Sequence, residues 1–119
     1  MKFIRSLGHA WHGVQYCYKT QQNFRIDLLV LMIVIIVGLI LKINTCEWLF
    51  IIACSALVLA LELVNTSIEY LCDIITKEIN PAIKVIKDVS AASVLVAAAL
   101  SAVTGTFIFL PKIITLLKS

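Results

Sequence analysis

The segment VSAASVLVAAALSAVTGTFIFL, Val89–Leu110, runs for 22 residues without a single Asp, Glu, Lys or Arg. At 1.5 Å per residue a helix of that length covers about 33 Å, enough to cross the roughly 30 Å hydrocarbon core of a bilayer. Upstream, Trp48–Leu61 is also uncharged, and its apolar character continues past Glu62 through Ile68 to Leu71. A third stretch, Leu28–Leu41, is lengthened at its edges by Ile26 and Ile43. These stretches predict three transmembrane helices over 26–43, 48–71 and 89–110. Composition agrees: 61% of residues are hydrophobic and 14% charged, with a mean hydropathy of +1.03. Soluble domains average about 45–50% apolar and roughly 25% charged residues, so a soluble domain and a disordered chain are both excluded. The expected fold is an all-α membrane protein with one domain spanning 1–119. The net charge of +3, without a Lys/Arg run, gives no sign of a nucleic-acid partner.

Residues 1–22 read differently. Phe3, Leu7, Trp11, Val14 and Tyr18 recur at three- and four-residue steps among Lys2, Arg5, His9, His12 and Lys19. This is the pattern of an amphipathic helix lying in the membrane interface with its basic face toward anionic headgroups. No apolar core follows closely enough for a cleavable signal. With a cytoplasmic N-terminus, the inside segments hold Lys2, Arg5, Lys19, Arg25, Lys77, Lys84 and Lys87, and the outside holds only Lys42, Lys112 and Lys118. The positive-inside rule therefore puts a loop at 73–88 in the cytoplasm. Cys17, Cys46, Cys54 and Cys72 show no metal-ligand spacing, and His9 and His12 have no third ligand nearby.

The second span contains ELVNTSIEYLCD, Glu62–Asp73. Glu62, Asn65, Glu69 and Asp73 fall within about an 80° arc, one polar stripe on an otherwise apolar helix. Carboxylates inside a membrane are expensive and need partners, and no Lys or Arg within the spans supplies one. Lys87 and Asp88, at the entry to the third span, come level with Glu69 and Asp73 if the two helices pack antiparallel. An acidic cluster beside a polyanion requires a divalent cation, and Mg²⁺ favours carboxylates together with phosphate oxygens. Glu62, the deepest of the set, is a candidate general base for a hydroxyl at the lipid boundary. Spacing alone leaves three uses open: helix packing, ion passage and catalysis. In the third span Ser93, Ala97, Ser101 and Gly105 recur at four-residue steps, a small-residue face expected to serve a homo-oligomer.

ELVNTSIEYLCD, followed fourteen residues after Asp73 by Lys87–Asp88 in KVIKDVSAASVLVAA, resembles the prokaryotic diacylglycerol kinase/undecaprenol kinase family. Its pattern there is E-x-x-N-[ST]-x-I-E-x-x-x-D and then K-D-x-x-[AS]-[AG]-x-V. The resemblance implies a homotrimeric kinase of the bacterial inner membrane, with a surface helix, three spans and a cytoplasmic active site. The implied reaction is ATP- and Mg²⁺-dependent phosphorylation of a membrane lipid alcohol, undecaprenol or diacylglycerol. By the same resemblance Glu62 is the catalytic base, Asn65 positions the reacting groups and Glu69 binds the Mg²⁺ carried by ATP. Lys2, His9, Asp73, Glu78, Ile79, Asn80, Lys87 and Asp88 match nucleotide-side positions, with Asp88 holding Lys87 or ribose. One departure stands out. Where the family usually has a second metal-binding glutamate, this chain has Gln21, in TQQNFRID, with Asp27 nearby as a substitute ligand. The forms NFRI and KVIKD look more like the undecaprenol-accepting branch. A small oligomeric transporter or scaffold is the alternative expectation.

Overall fold

The structure is a computed structural model that describes residues 1–119. It is entirely helical: α1 (Lys2–Thr20), α2 (Gln22–Leu41), α3 (Thr45–Ile75) and α4 (Pro81–Lys118). Three of these, α2, α3 and α4, are long and apolar enough to cross a membrane. Only 13 of the 119 residues are buried, and large apolar side chains such as Leu39 and Ile40 lie 65% and 69% exposed. Outward-facing aliphatic side chains of this kind are what hydrocarbon, rather than water, would cover.

α3 and α4 form an antiparallel hairpin that is the spine of the fold, while α2 packs on both and α1 lies against α2 and α3. The hairpin is capped at each turn. Before α3, the Asn44 side chain accepts from the Glu47 backbone N–H at 2.9 Å and Glu47 Oε1 accepts from the Asn44 N–H at 3.1 Å. Glu47 also meets Lys112 Nζ at 3.2 Å, which ties the start of α3 to the far part of α4. Before α4, Asn80 Oδ1 accepts from the Ala82 N–H at 2.9 Å, and Pro81 occupies the first helical position, where its missing N–H costs nothing.

A small core of Ile43, Ile51 and Ile108 lies near the α2–α3 turn, with Trp48 and Phe109 packed on it. Gly38 belongs to the same contact: a Cβ there would sit 2.7 Å from the Trp48 ring and 3.1 Å from Ile43 Cδ1. Gly38→Ala is therefore expected to destabilise the fold by about 1–3 kcal/mol, the usual range for overpacking. Its midpoint in a denaturation titration in detergent checks this, and a midpoint equal to that of the parent protein would contradict it.

Several expectations need correction. Residues 73–88 are not a loop: Asp73–Ile75 complete α3, Pro81–Asp88 open α4, and only 76–80 lie outside helix. Charge lowers hydropathy without lowering helix propensity, so the helices outrun the apolar stretches that announce them. α4 likewise passes through Pro111 to Lys118, at about 57 Å far longer than a bilayer core. The small-residue face of α4 is used inside the chain. Ala97 is buried, and Ser101 Oγ lies 3.5 Å from the Cys54 carbonyl oxygen of α3. Close backbone approach here joins α3 to α4 rather than one copy to another.

Candidate active site

The stripe on α3 turns inward. Glu62 and Asn65 are 4% and 8% exposed, Glu69 is half-buried and Asp73 is exposed, so the stripe climbs from the interior to the α3–α4 turn. Asn65 is its fixed point. Its Oδ1 accepts from Ser90 Oγ at 2.7 Å, and its Nδ2 donates to Glu69 Oε1 at 3.3 Å. The first bond comes from α4 and sets the amide's orientation. The second then holds one Glu69 oxygen in place and leaves the other free.

A cavity of about 280 Å³ opens beside Glu62, between α2, α3 and α4. Its polar wall is made by Asn23, Asp27, Glu62 and Asn65, and its apolar wall includes Val94 and Ala98. A hydroxyl carried on a hydrocarbon chain suits such a lining, with acceptors on one side and aliphatic carbon on the other.

Toward the turn, Lys87 Nζ meets Asp73 Oδ1 at 2.7 Å and Lys84 Nζ meets Asp88 Oδ2 at 2.6 Å. The expected levelling of Lys87 with Asp73 is thus present. Asp88 does not hold Lys87, however; it pairs one turn back with Lys84, its i,i−4 neighbour on the helix surface. Asn80 spends its side-chain oxygen on capping α4. Lys2 and His9 are exposed on α1, and Glu78 and Ile79 are exposed in the 76–80 turn, without hydrogen bonds to the stripe. Gln21 sits half-buried at the break between α1 and α2, where its backbone N–H donates to the Cys17 carbonyl at 2.8 Å. Asp27, expected as a substitute metal ligand, faces Glu62 instead.

No three His, Cys, Asp or Glu side chains converge into a metal cage. Mg²⁺ needs none: it commonly takes one or two protein carboxylates and fills its remaining positions with waters and substrate phosphates. The free oxygen of Glu69 fits an ion that arrives on a nucleotide.

Two partners escaped the sequence reading. Ser90 orients Asn65 across the hairpin, and its only sequence signal is that it is the first hydroxyl after Lys87–Asp88. The other is a link between the surface helix and the stripe. Thr66 Oγ1 donates to the Glu62 carbonyl at 2.8 Å, so at the 3.3 Å contact with Cys17 Sγ the thiol is the donor. Burial pushes the Cys17 thiol up from its ordinary value; the Thr66 hydrogen bond opposes this and the Glu62 charge adds to it. Cys17 is therefore a neutral, unreactive peg between α1 and α3. Tyr16 stacks edge-on against Tyr70 at 5.9 Å beside it.

This chain is similar to known proteins along nearly all of its length. A family model described as prokaryotic diacylglycerol kinase matches residues 8–109. The chain is 35% identical over 112 residues to undecaprenol kinase of Bacillus subtilis (strain 168), which covers 94% of this chain and 91% of that protein. It is 33% identical over 113 residues to diacylglycerol kinase of Synechocystis sp., covering 94% of this chain and 65% of that protein. Diacylglycerol kinase of Escherichia coli (strain K12) is 23% identical over 103 residues, covering 87% and 84%. With such coverage the transporter or scaffold alternative gives way. The chain belongs to the prokaryotic diacylglycerol kinase family and is a membrane lipid kinase.

Proposed function

We propose that this kinase transfers the γ-phosphoryl group of ATP to the hydroxyl of a polyprenol of the undecaprenol class, with Glu62 as general base. The observation that carries this reading is the burial of Glu62 at a cavity with one polar and one aliphatic wall. The 35% identity to an undecaprenol kinase supports the acceptor. The lipid enters sideways from the inner leaflet and presents its hydroxyl to Glu62. The nucleotide approaches from the cytoplasm, on the side of the 76–80 turn.

Phosphoryl transfer depends on positioning and charge neutralisation more than on covalent chemistry. As the lipid O–H bond breaks, Glu62 receives the proton while the oxygen attacks the γ-phosphorus and ADP departs. Asn65, held by Ser90, positions the groups around it. Glu69 and Gln21 would hold the Mg²⁺ that accompanies ATP, and that ion supplies neutralisation of the triphosphate charge. Lys87 lies beside the phosphates, and Lys2, His9, Asp73, Glu78, Ile79, Asn80 and Asp88 border the nucleotide. Glu62 and Glu69 are two helical turns apart, about 10 Å along the axis, so one helix can serve both lipid hydroxyl and metal. The functional unit is a homotrimer in the bacterial inner membrane, with the N-terminus and the site cytoplasmic.

Presenting undecaprenol and diacylglycerol to the purified kinase, followed by thin-layer separation of the labelled products, tests the acceptor. Polyprenyl phosphate is the expected main product, and preferential phosphatidic acid formation would overturn the assignment. Gln21 yields a separate prediction. Its carbonyl can coordinate Mg²⁺ but adds no charge, so Gln21→Glu is expected to shift the Mg²⁺ activation curve to lower concentration. A curve that superimposes on that of the parent protein would remove Gln21 from the ligand set.

A further inference from the structure

The carboxyl group of Asp27 on α2 turns against that of Glu62 on α3, and both line the same cavity. Asp27 Oδ2 is buried and has no hydrogen-bond partner. Nothing basic reaches the pair. Lys84, Lys87 and Lys112 are taken by Asp88, Asp73 and Glu47, and Arg25, on the same helix as Asp27, donates to the carbonyls of Tyr18 and Lys19. The other titratable groups turned toward Glu62 are Glu69, further along α3, and Cys17 on α1. α4 contributes only alanine, valine and leucine to this cavity.

Two ionised carboxylates in contact, without a cation, repel each other, and a bare carboxylate oxygen in the interior loses its hydration. One proton held between them removes the repulsion and leaves a single charge on the pair. We infer that Asp27 positions Glu62 by sharing one proton with it, so that the resting pair is a carboxylic acid hydrogen-bonded to a carboxylate. The inference rests on the reading of Glu62 as the base. Asp27 acts as a positioning residue: its hydrogen bond fixes one Glu62 oxygen and leaves the other facing the cavity. In turnover the lipid O–H bond breaks and its proton passes to that free oxygen. The O–Pγ bond forms, the bond from Pγ to the ADP oxygen breaks, and the pair then holds two protons. One leaves to water before the next cycle.

Dicyclohexylcarbodiimide, which modifies protonated carboxyl groups in apolar surroundings, reads the shared proton without any activity measurement. The purified full-length kinase is labelled at neutral pH with EDTA and without ATP, and the adducts are mapped by mass spectrometry. The expected result is about one adduct per chain, divided between Asp27 and Glu62. In Asp27→Asn the adduct on Glu62 is expected to fall about tenfold or more, because a lone carboxyl no longer keeps the proton. In the same variant kcat falls about tenfold or more while KM for ATP and lipid stays within about twofold. Asp27→Glu, which keeps a carboxyl in place, restores both labelling and kcat. Unchanged Glu62 labelling in Asp27→Asn would overturn the inference, and so would labelling lost equally in Asp27→Glu, which marks a purely structural role. Protection of the pair by Mg²⁺ alone, with EDTA omitted, would also overturn it by making the pair a metal site. A Glu62→Gln variant that still phosphorylates lipid would instead overturn the base assignment, while the wild-type labelling would still report whether the proton is shared.

Discussion

Glu62→Gln is expected to lower lipid phosphorylation by about 10³-fold or more while ATP still binds with near-parental affinity. General-base catalysis contributes roughly 10²–10⁴-fold in enzymes, and Glu62 is the buried carboxylate at the cavity that takes the lipid hydroxyl. Glutamine keeps the shape and hydrogen-bonding capacity of the side chain, so Asp27 retains a neighbour and the helix packing is preserved. Turnover measured beside equilibrium binding of a fluorescent ATP analogue separates the two effects. Near-parental turnover would remove Glu62 from the chemistry. Loss of nucleotide binding in parallel would show a collapsed site instead of a missing base.

The second large effect is expected at Glu69. Glu69→Gln retains an oxygen to accept from Asn65 Nδ2, so the link through Asn65 to Ser90 survives. The negative charge that would attract Mg²⁺ is gone. We expect kcat/KM for MgATP to fall by about 10²-fold or more, in line with losses seen when metal-site ligation is perturbed, with part of the loss recovered at high Mg²⁺. The lipid KM should change little, because Glu69 stands away from the lipid cavity. A loss that Mg²⁺ does not relieve, or one that falls on the lipid KM, would place Glu69 in another role.

The spans and the stripe were legible because both depend on periodicity and hydropathy, which a single chain displays. Val89–Leu110 announced its helix by lacking charge, and Glu62, Asn65, Glu69 and Asp73 announced one face by their spacing. The surface helix was legible in the same way, from the stripe of Phe3 to Tyr18. What remained hidden depends on how each helix is rotated against its neighbours. Ser90 meets Asn65, and Cys17 meets Thr66, across gaps of 25 and 49 residues. No local pattern encodes such meetings. Asp27 was visible as a charge at the edge of a span, but which carboxylate it faces depends on the packing of α2 against α3. The small residues of α4 were read as an oligomer face because sequence shows only that backbones can approach there. It does not show which backbone does. Asp88 was given to Lys87 by adjacency in the motif, whereas helix geometry offers it Lys84 at four residues' distance. The family roles of Lys2, His9, Glu78 and Ile79 concern groups that are exposed in this structure and would be gathered by a nucleotide.

The most direct test of the account is the sidedness of phosphoryl transfer. Membranes from cells making this protein are prepared as inside-out and right-side-out vesicles, loaded with undecaprenol and given γ-labelled ATP from the outside. Labelled polyprenyl phosphate is expected in the inside-out vesicles alone, because the acidic end of α3 meets nucleotide on the cytoplasmic face. Transfer confined to right-side-out vesicles, or none in either preparation while the protein is present and folded, would contradict it.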